Sequence, residues 1–362
     1  MVKSIKYCFL GVLLAAIVAC SGQDTTPYQW NLPDSIPPPP LPEQAVMTQA
    51  SVELGRHLFY DTGLSGNGTL ACASCHMQGL AFADNRAKSV GAEGEVLKRN
   101  ALALVNVAYH STLTWAHNGI TQPEQQILLP LFNEHPVEMG VTGNEAVILE
   151  RLRSAQYQRL FEHAFGNPEP TWQNIVLALS SFVRTLVSFR SPFDAYAYGG
   201  DDDALSEQAL AGLNLFFSER LECFHCHGGI NFTQSSRHTS QAVLIKPFHH
   251  TGFFTGQGDT GLYDVTRDPN DLGRFRAPTL RNIAVTAPYM HDGSLQTLEQ
   301  VIEFYENGGR GEGKYDPRKS PFITGFALND EERQALLAFL HSLTDDQFLS
   351  NPAHSAPFAV PE

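Results

Sequence analysis

Two pentapeptides, Cys72-Ala73-Ser74-Cys75-His76 and Cys223-Phe224-His225-Cys226-His227, constrain this chain more than any other feature. In C-x-x-C-H each thiol can form a thioether with a vinyl group of haem, and the adjacent His then reaches the iron from one face. One such motif in an exported chain reads equally as a disulfide beside a surface His. Two of them, each behind a similar apolar run at helical spacing, point to two covalently bound haem c groups. His76 and His227 are then the proximal iron ligands. The runs are Gly55-Arg56-His57-Leu58-Phe59-Tyr60 and Gly212-Leu213-Asn214-Leu215-Phe216-Phe217, an internal echo that predicts two related haem domains.

The other two of the six cysteines belong to export. Lys3 and Lys6 precede an apolar run, residues 9–19, that is too short for a comfortable membrane span. Ile17-Val18-Ala19-Cys20 matches a bacterial lipoprotein cleavage box, in which Cys20 receives lipid. The plainer alternative is an ordinary signal peptide with an incidental Cys. Gly22, where an Asp would signal inner-membrane retention, favours the outer membrane. The expectation is a periplasmic protein that meets a membrane only through a lipid anchor. Residues 1–19 read as signal peptide and 20–45 as a lipidated tether, stiffened by Pro27, Pro33, Pro37 to Pro40 and Pro42. Residues 46–195 and 196–362 read as the N-terminal and C-terminal haem domains, with turn signals at Tyr198-Gly199-Gly200 between them.

Composition narrows the partners. The formal net charge of −14 argues against nucleic acid or an anionic lipid surface. The periodicity predicts a mostly α fold, with helices over 145–165, 171–189, 206–219, 297–305 and 330–343. No sustained alternation marks a large sheet. The Gly-rich loops suit chain wrapped round a cofactor.

Residues 46 to 345 resemble the bacterial di-haem cytochrome c peroxidase superfamily, which includes MauG. The most specific stretch is Ala277-Pro278-Thr279-Leu280-Arg281-Asn282-Ile283, then Thr286-Ala287-Pro288-Tyr289-Met290-His291-Asp292-Gly293-Ser294. Trp115-Ala116-His117-Asn118-Gly119 and the segment from Pro130 to Gly140 are similar to the MbnH-type branch. The resemblance implies a mostly α di-haem architecture with unlike iron sites. Ordinary peroxidases close the C-terminal haem with a Met; here the matching position is Tyr305, as in MauG-like enzymes. Met290 is the alternative ligand. Ordinary peroxidases also cap the N-terminal haem with a loop His, where this chain has Ala92, so that iron should be open. His110 and His117 are the alternatives for that ligand. The resemblance places Gln126 and Glu138 as proton-handling residues on the open face, with Pro130 shaping the pocket and Gln125 as the rival to Gln126. Trp115 matches the aromatic residue between the haems. Asn100, Thr286 and Pro288 match positions that hold a structural calcium.

These implications converge on a peroxide-dependent oxidase. Hydrogen peroxide would oxidise the open haem, a high-valent bis-haem state would store the equivalents, and a partner-protein side chain would then be oxidised. In the MbnH-like branch this is Trp to kynurenine on an MbnP-like copper-binding protein. The alternative is a cytochrome c peroxidase that reduces hydrogen peroxide with electrons from a small cytochrome. A plain electron-transfer cytochrome is the third class, and Gln126 and Glu138 argue against it.

Overall fold

The computed structural model of the chain describes residues 22–239, 247–254 and 258–358. The export signal and Cys20 lie outside the described residues. The fold is mostly helical: α1 (Gln49–Tyr60), α2 (Pro123–Phe132), α3 (Glu145–Arg151), α4 (Ala155–Phe165), α5 (Trp172–Arg184), α6 (Pro192–Gly199), α7 (Glu207–Phe216), α8 (Phe224–His227), α9 (Tyr263–Thr266), α10 (Leu298–Glu306), α11 (Asp330–His341) and α12 (Asp346–Leu349). Among the described residues the only sheet is the short antiparallel pair β1 (Phe248–His249) and β2 (Phe275–Arg276). Each predicted helix forms, with two corrections. The 145–165 run is two helices, because the Ser154 hydroxyl accepts from Tyr157 N and caps a new start. The 171–189 run stops at Arg184, where the Thr185 hydroxyl turns back onto the Phe182 carbonyl.

The echo in the sequence becomes a repeated helix crossing. In the first domain α1 packs on α5, and in the second α7 packs on α11. A Cβ on Gly55 would overlap the Ala178 carbonyl and lie 2.9 Å from Phe182 Cβ. A Cβ on Gly212 would overlap the Ala335 carbonyl and lie 2.8 Å from Phe339 Cβ. Phe59 meets Phe182 at 5.2 Å between ring centroids, and Phe216 meets Phe339 at 5.1 Å. Glycine at each crossing lets two backbones touch and directs the Cys pair that follows. Ala in an exposed helix usually stabilises by ~1 kcal/mol relative to Gly. Here Gly55→Ala and Gly212→Ala should instead destabilise by about 1–3 kcal/mol through overpacking, read as a fall in thermal midpoint. The duplication extends beyond these helices. Asn106 (φ 56°) and Asn282 (φ 58°) each open a short 3₁₀ turn, and their amides bond the same residue, Ser188, at the junction of the halves.

Three segments lie differently from the sequence expectation. The Pro-rich stretch is a strap rather than a free tether. Tyr28 N bonds Met47 O at 2.9 Å, Ile36 is buried beside Tyr109 and Phe189, and the Tyr109 hydroxyl donates to Pro37 O at 3.0 Å. Its apolar residues find a groove, which repeats of Pro do not advertise. Helix α6 crosses the 195/196 boundary, and its Phe193 joins the C-terminal core. The Asp194 carboxylate receives both Nη atoms of buried Arg281 at 2.9 Å, so Arg281 of the family stretch is a structural anchor. The end of the chain returns to the first domain. Phe348 lies in the N-terminal core, Tyr60 donates to His354 O at 2.7 Å, and Gln78 donates to Asn351 O at 2.9 Å.

Candidate haem sites

Each Cys pair sits in a tight turn just beyond its crossing helix, and all four thiols are free. His76 Nδ1 donates to the Phe82 carbonyl at 2.7 Å, and His227 Nδ1 donates to the Phe232 carbonyl at 3.2 Å. This bond to a backbone carbonyl fixes each ring and leaves Nε2 for a metal. Burial lowers the pKa of both rings, that of His227 to about 4. Both imidazoles are therefore neutral, as iron ligation requires. Burial pushes Cys72 and Cys223 up to about 12 and Cys226 up to about 11.

The second Cys pair opens into a cleft of about 1760 Å³, counting its mouth. Its walls include Phe216, Leu280, Ile302, Ile323 and Leu340, and they present Cys223, Cys226, His227 and Tyr305 together. Tyr305 comes from the last turn of α10, whose start is capped by Thr297. Burial, then the neighbouring Cys226 and Cys223 thiols, raise the Tyr305 phenol strongly. A phenol so placed stays protonated unless a cation faces it. Free thiols, an oriented imidazole, a buried phenol and a large apolar cleft fit a covalent haem. Met290 also lines this cleft.

The first Cys pair has a different surround. Glu138 is half-buried, and burial raises its pKa. Its charge reaches both Cys72 and Cys75 and raises their pKa. The Ala92 loop is fastened to the same segment. Ala92 N donates to Glu138 O at 2.7 Å, and a Cβ on Gly91 would overlap the Val137 carbonyl. Pro130 lies inside α2 and has no N–H to give the Gln126 carbonyl, while its own carbonyl accepts from Met139 N at 2.9 Å. The Gln125 side chain is exposed and caps the helix start at Thr121 N and Gln122 N. Gln126 points inward, and its Oε1 is buried with no hydrogen-bond partner. That orphan acceptor favours Gln126 over Gln125 for a ligand-facing role. His110 lines the second cleft, and His117 Nδ1 accepts from Gly119 N in a local turn.

Between the halves, Trp115 lines the second cleft and its Nε1 donates to the Asn100 carbonyl at 2.8 Å. Asn100, Thr286 and Pro288 line the same cleft. Asn100 Nδ2 is spent on the Arg86 and Ala87 carbonyls. Among the described residues no donor reaches Asn100 Oδ1 or the Thr286 and Pro288 carbonyls. Three free hard oxygens suit calcium. Sequence reasoning gave no weight to Arg276 or His291. Arg276 is buried in the cleft, and His291 stacks on Phe275 at 3.7 Å beside Trp115. His291 lies in the family stretch and Arg276 just before it, but the role of each depends on chain brought in from the other half.

A family model described as di-haem cytochrome c peroxidase matches residues 49–203. Cytochrome-c peroxidase IdrP1 of Denitromonas iodatirespirans is 32% identical over 91% of this chain and 92% of that protein. Methylamine utilization protein MauG of Methylophilus methylotrophus is 32% identical over 92% of this chain and 93% of its own length. The crystal structure of a MauG-like protein associated with microbial copper homeostasis is 42% identical, with a TM-score of 0.87 over 91% of this chain and 99% of that one. The di-haem peroxidase BthA of Burkholderia thailandensis, 22% identical with a TM-score of 0.66 over 85% of this chain and 90% of that one, shares the fold.

Proposed function

This chain belongs to the di-haem cytochrome c peroxidase and MauG family of haem oxidoreductases, and from that premise we propose that it is a peroxide-dependent oxidase of a partner protein. The carrying observation is the asymmetry of the two sites: Tyr305 shares a cleft with Cys223, Cys226 and His227, whereas the first pair feels the charge of Glu138, to whose carbonyl Ala92 is bonded. When bound, the two haems supply the redox chemistry, taking oxidising equivalents from hydrogen peroxide and passing them outward. Cys72, Cys75 and His76 hold the first haem; Cys223, Cys226, His227 and Tyr305 hold the second. The Glu138 carboxylate takes a proton from peroxide and returns it to the departing oxygen. Gln126 Oε1 accepts a hydrogen bond from peroxide and orients it. Trp115 lies on the path between the two sites. Asn100 Oδ1 and the Thr286 and Pro288 carbonyls hold a calcium that ties the halves together.

The substrate we propose is a Trp of a copper-binding, MbnP-like partner, converted to kynurenine. Support comes from the 42% identity to a protein associated with copper homeostasis. The proposed setting is the periplasm, with Cys20 lipidated. The name of the IdrP1 relative favours a second reading, a peroxidase fed by a small cytochrome. The two readings separate in one experiment. Peroxide added to the fully oxidised protein, with no reductant, should change the haem spectrum at once. A spectrum that changes only after reduction would sink the oxidase reading in favour of the peroxidase. Mass analysis of the partner after peroxide treatment then identifies the modified residue.

A further inference from the structure

Arg276 is 3% exposed, and among the described residues its side chain bonds a backbone carbonyl and pairs with no carboxylate. Outside the described residues the only Asp or Glu is Glu362. The Arg276 Nε donates to the Thr114 carbonyl at 2.8 Å and its backbone N–H to the Trp115 carbonyl at 2.7 Å. Its Nη1 is buried with no partner. His110, 6% exposed, likewise has a buried Nε2 with no partner. Both side chains line the cleft that presents Cys223, Cys226, His227 and Tyr305. Burial, then the charge of Arg276, hold His110 well below its ordinary pKa. A buried guanidinium without an anion is strongly destabilising, so the site calls for a carboxylate of its own.

A haem anchored at Cys223, Cys226 and His227 brings two carboxylates, its propionates, into this cleft. We infer that Arg276, with His110, seats a propionate of the second haem against the Thr114–Trp115 backbone. Arg276 is thus a positioning residue with two tasks. Its Nε and backbone N–H hold the segment that carries Trp115, and its Nη1 holds the edge of the haem. The Trp115 indole is fixed from the other side by the Asn100 carbonyl. The seat therefore sets the relation of the second haem to the Trp between the sites. This inference rests on the second haem being present and is independent of what the enzyme oxidises.

The test uses the holoprotein. Arg276→Gln is made, mass analysis confirms two attached haems, and each haem is titrated spectroelectrochemically. Loss of a positive charge beside a propionate stabilises the ferric state. The ferric-to-ferrous equilibrium of the second haem should move about tenfold, or about 59 mV for one electron, with the first haem much less affected. Arg276→Lys should recover most of that shift. An unchanged potential in Arg276→Gln with both haems attached overturns the inference. Where Arg276→Gln does not mature, Arg276→Lys still decides. Its single-point charge replaces a planar fork, so the propionate bending band in resonance Raman should shift, and an unchanged band overturns the inference. A native enzyme that ignores peroxide would end the proposed function and leave this result untouched.

Discussion

Replacing Tyr305 with Met is expected to abolish peroxide-driven oxidation of the partner while leaving both haems attached. The proposed thioether attachment uses Cys72, Cys75, Cys223 and Cys226, none of which the substitution touches. Met is unbranched and adaptable, so it can fill the position at the end of α10 without breaking the helix. The change is electronic. A phenolate is a hard anionic donor that favours oxidised iron, and a thioether favours reduced iron. Axial ligands set haem potentials over ~0.8 V, so this exchange should raise the second haem by on the order of 0.3 V. The site would then resemble that of an ordinary peroxidase, with an electron-accepting rather than equivalent-storing haem. The measurements are the mass of the intact protein, the midpoint potential, and the yield of modified partner. Full partner oxidation by the variant would show that Tyr305 is a packing residue only.

The second large effect is expected from Glu138→Gln. The substitution keeps the shape and removes the proton acceptor. General acid–base groups contribute typically ~10²–10⁴-fold, so the rate of the peroxide reaction should fall by that order. Stopped-flow mixing of peroxide with the oxidised protein measures it directly. The pH profile gives an independent check on the native enzyme. Glu138 must be ionised to accept a proton, and burial raises its pKa. The rate should therefore be full at neutral pH and fall on acidification, with its midpoint above the ordinary Glu value of ~4.3. In Glu138→Gln that acid limb should disappear. Retention of the limb with little loss of rate would assign the proton transfer elsewhere.

Much of this molecule was legible along the chain. The C-x-x-C-H motifs named Cys72, Cys75, His76, Cys223, Cys226 and His227, because covalent attachment demands a spacing within five residues. The Gly55 and Gly212 runs announced a repeat, and the two helix crossings show what the repeated glycines do. Helix starts with a side-chain cap, such as Thr297 and Asn329, were readable for the same local reason. The Gln125 and Gln126 choice was not, since both lie on one helix turn and only tertiary packing buries one of them.

The sequence by itself determined the two C-x-x-C-H motifs that imply two haems, and the helical repeat that precedes each. These depend on local spacing and periodicity. Tertiary structure alone decided where the Pro-rich strap lies, that the chain end returns to the first domain, and that Arg281 serves Asp194 rather than a ligand. It alone assembled Tyr305, Trp115, His110 and Arg276 around one cleft. Those residues span almost two hundred positions, and only packing can bring a desolvated phenol, an indole and an unpaired guanidinium to the same wall.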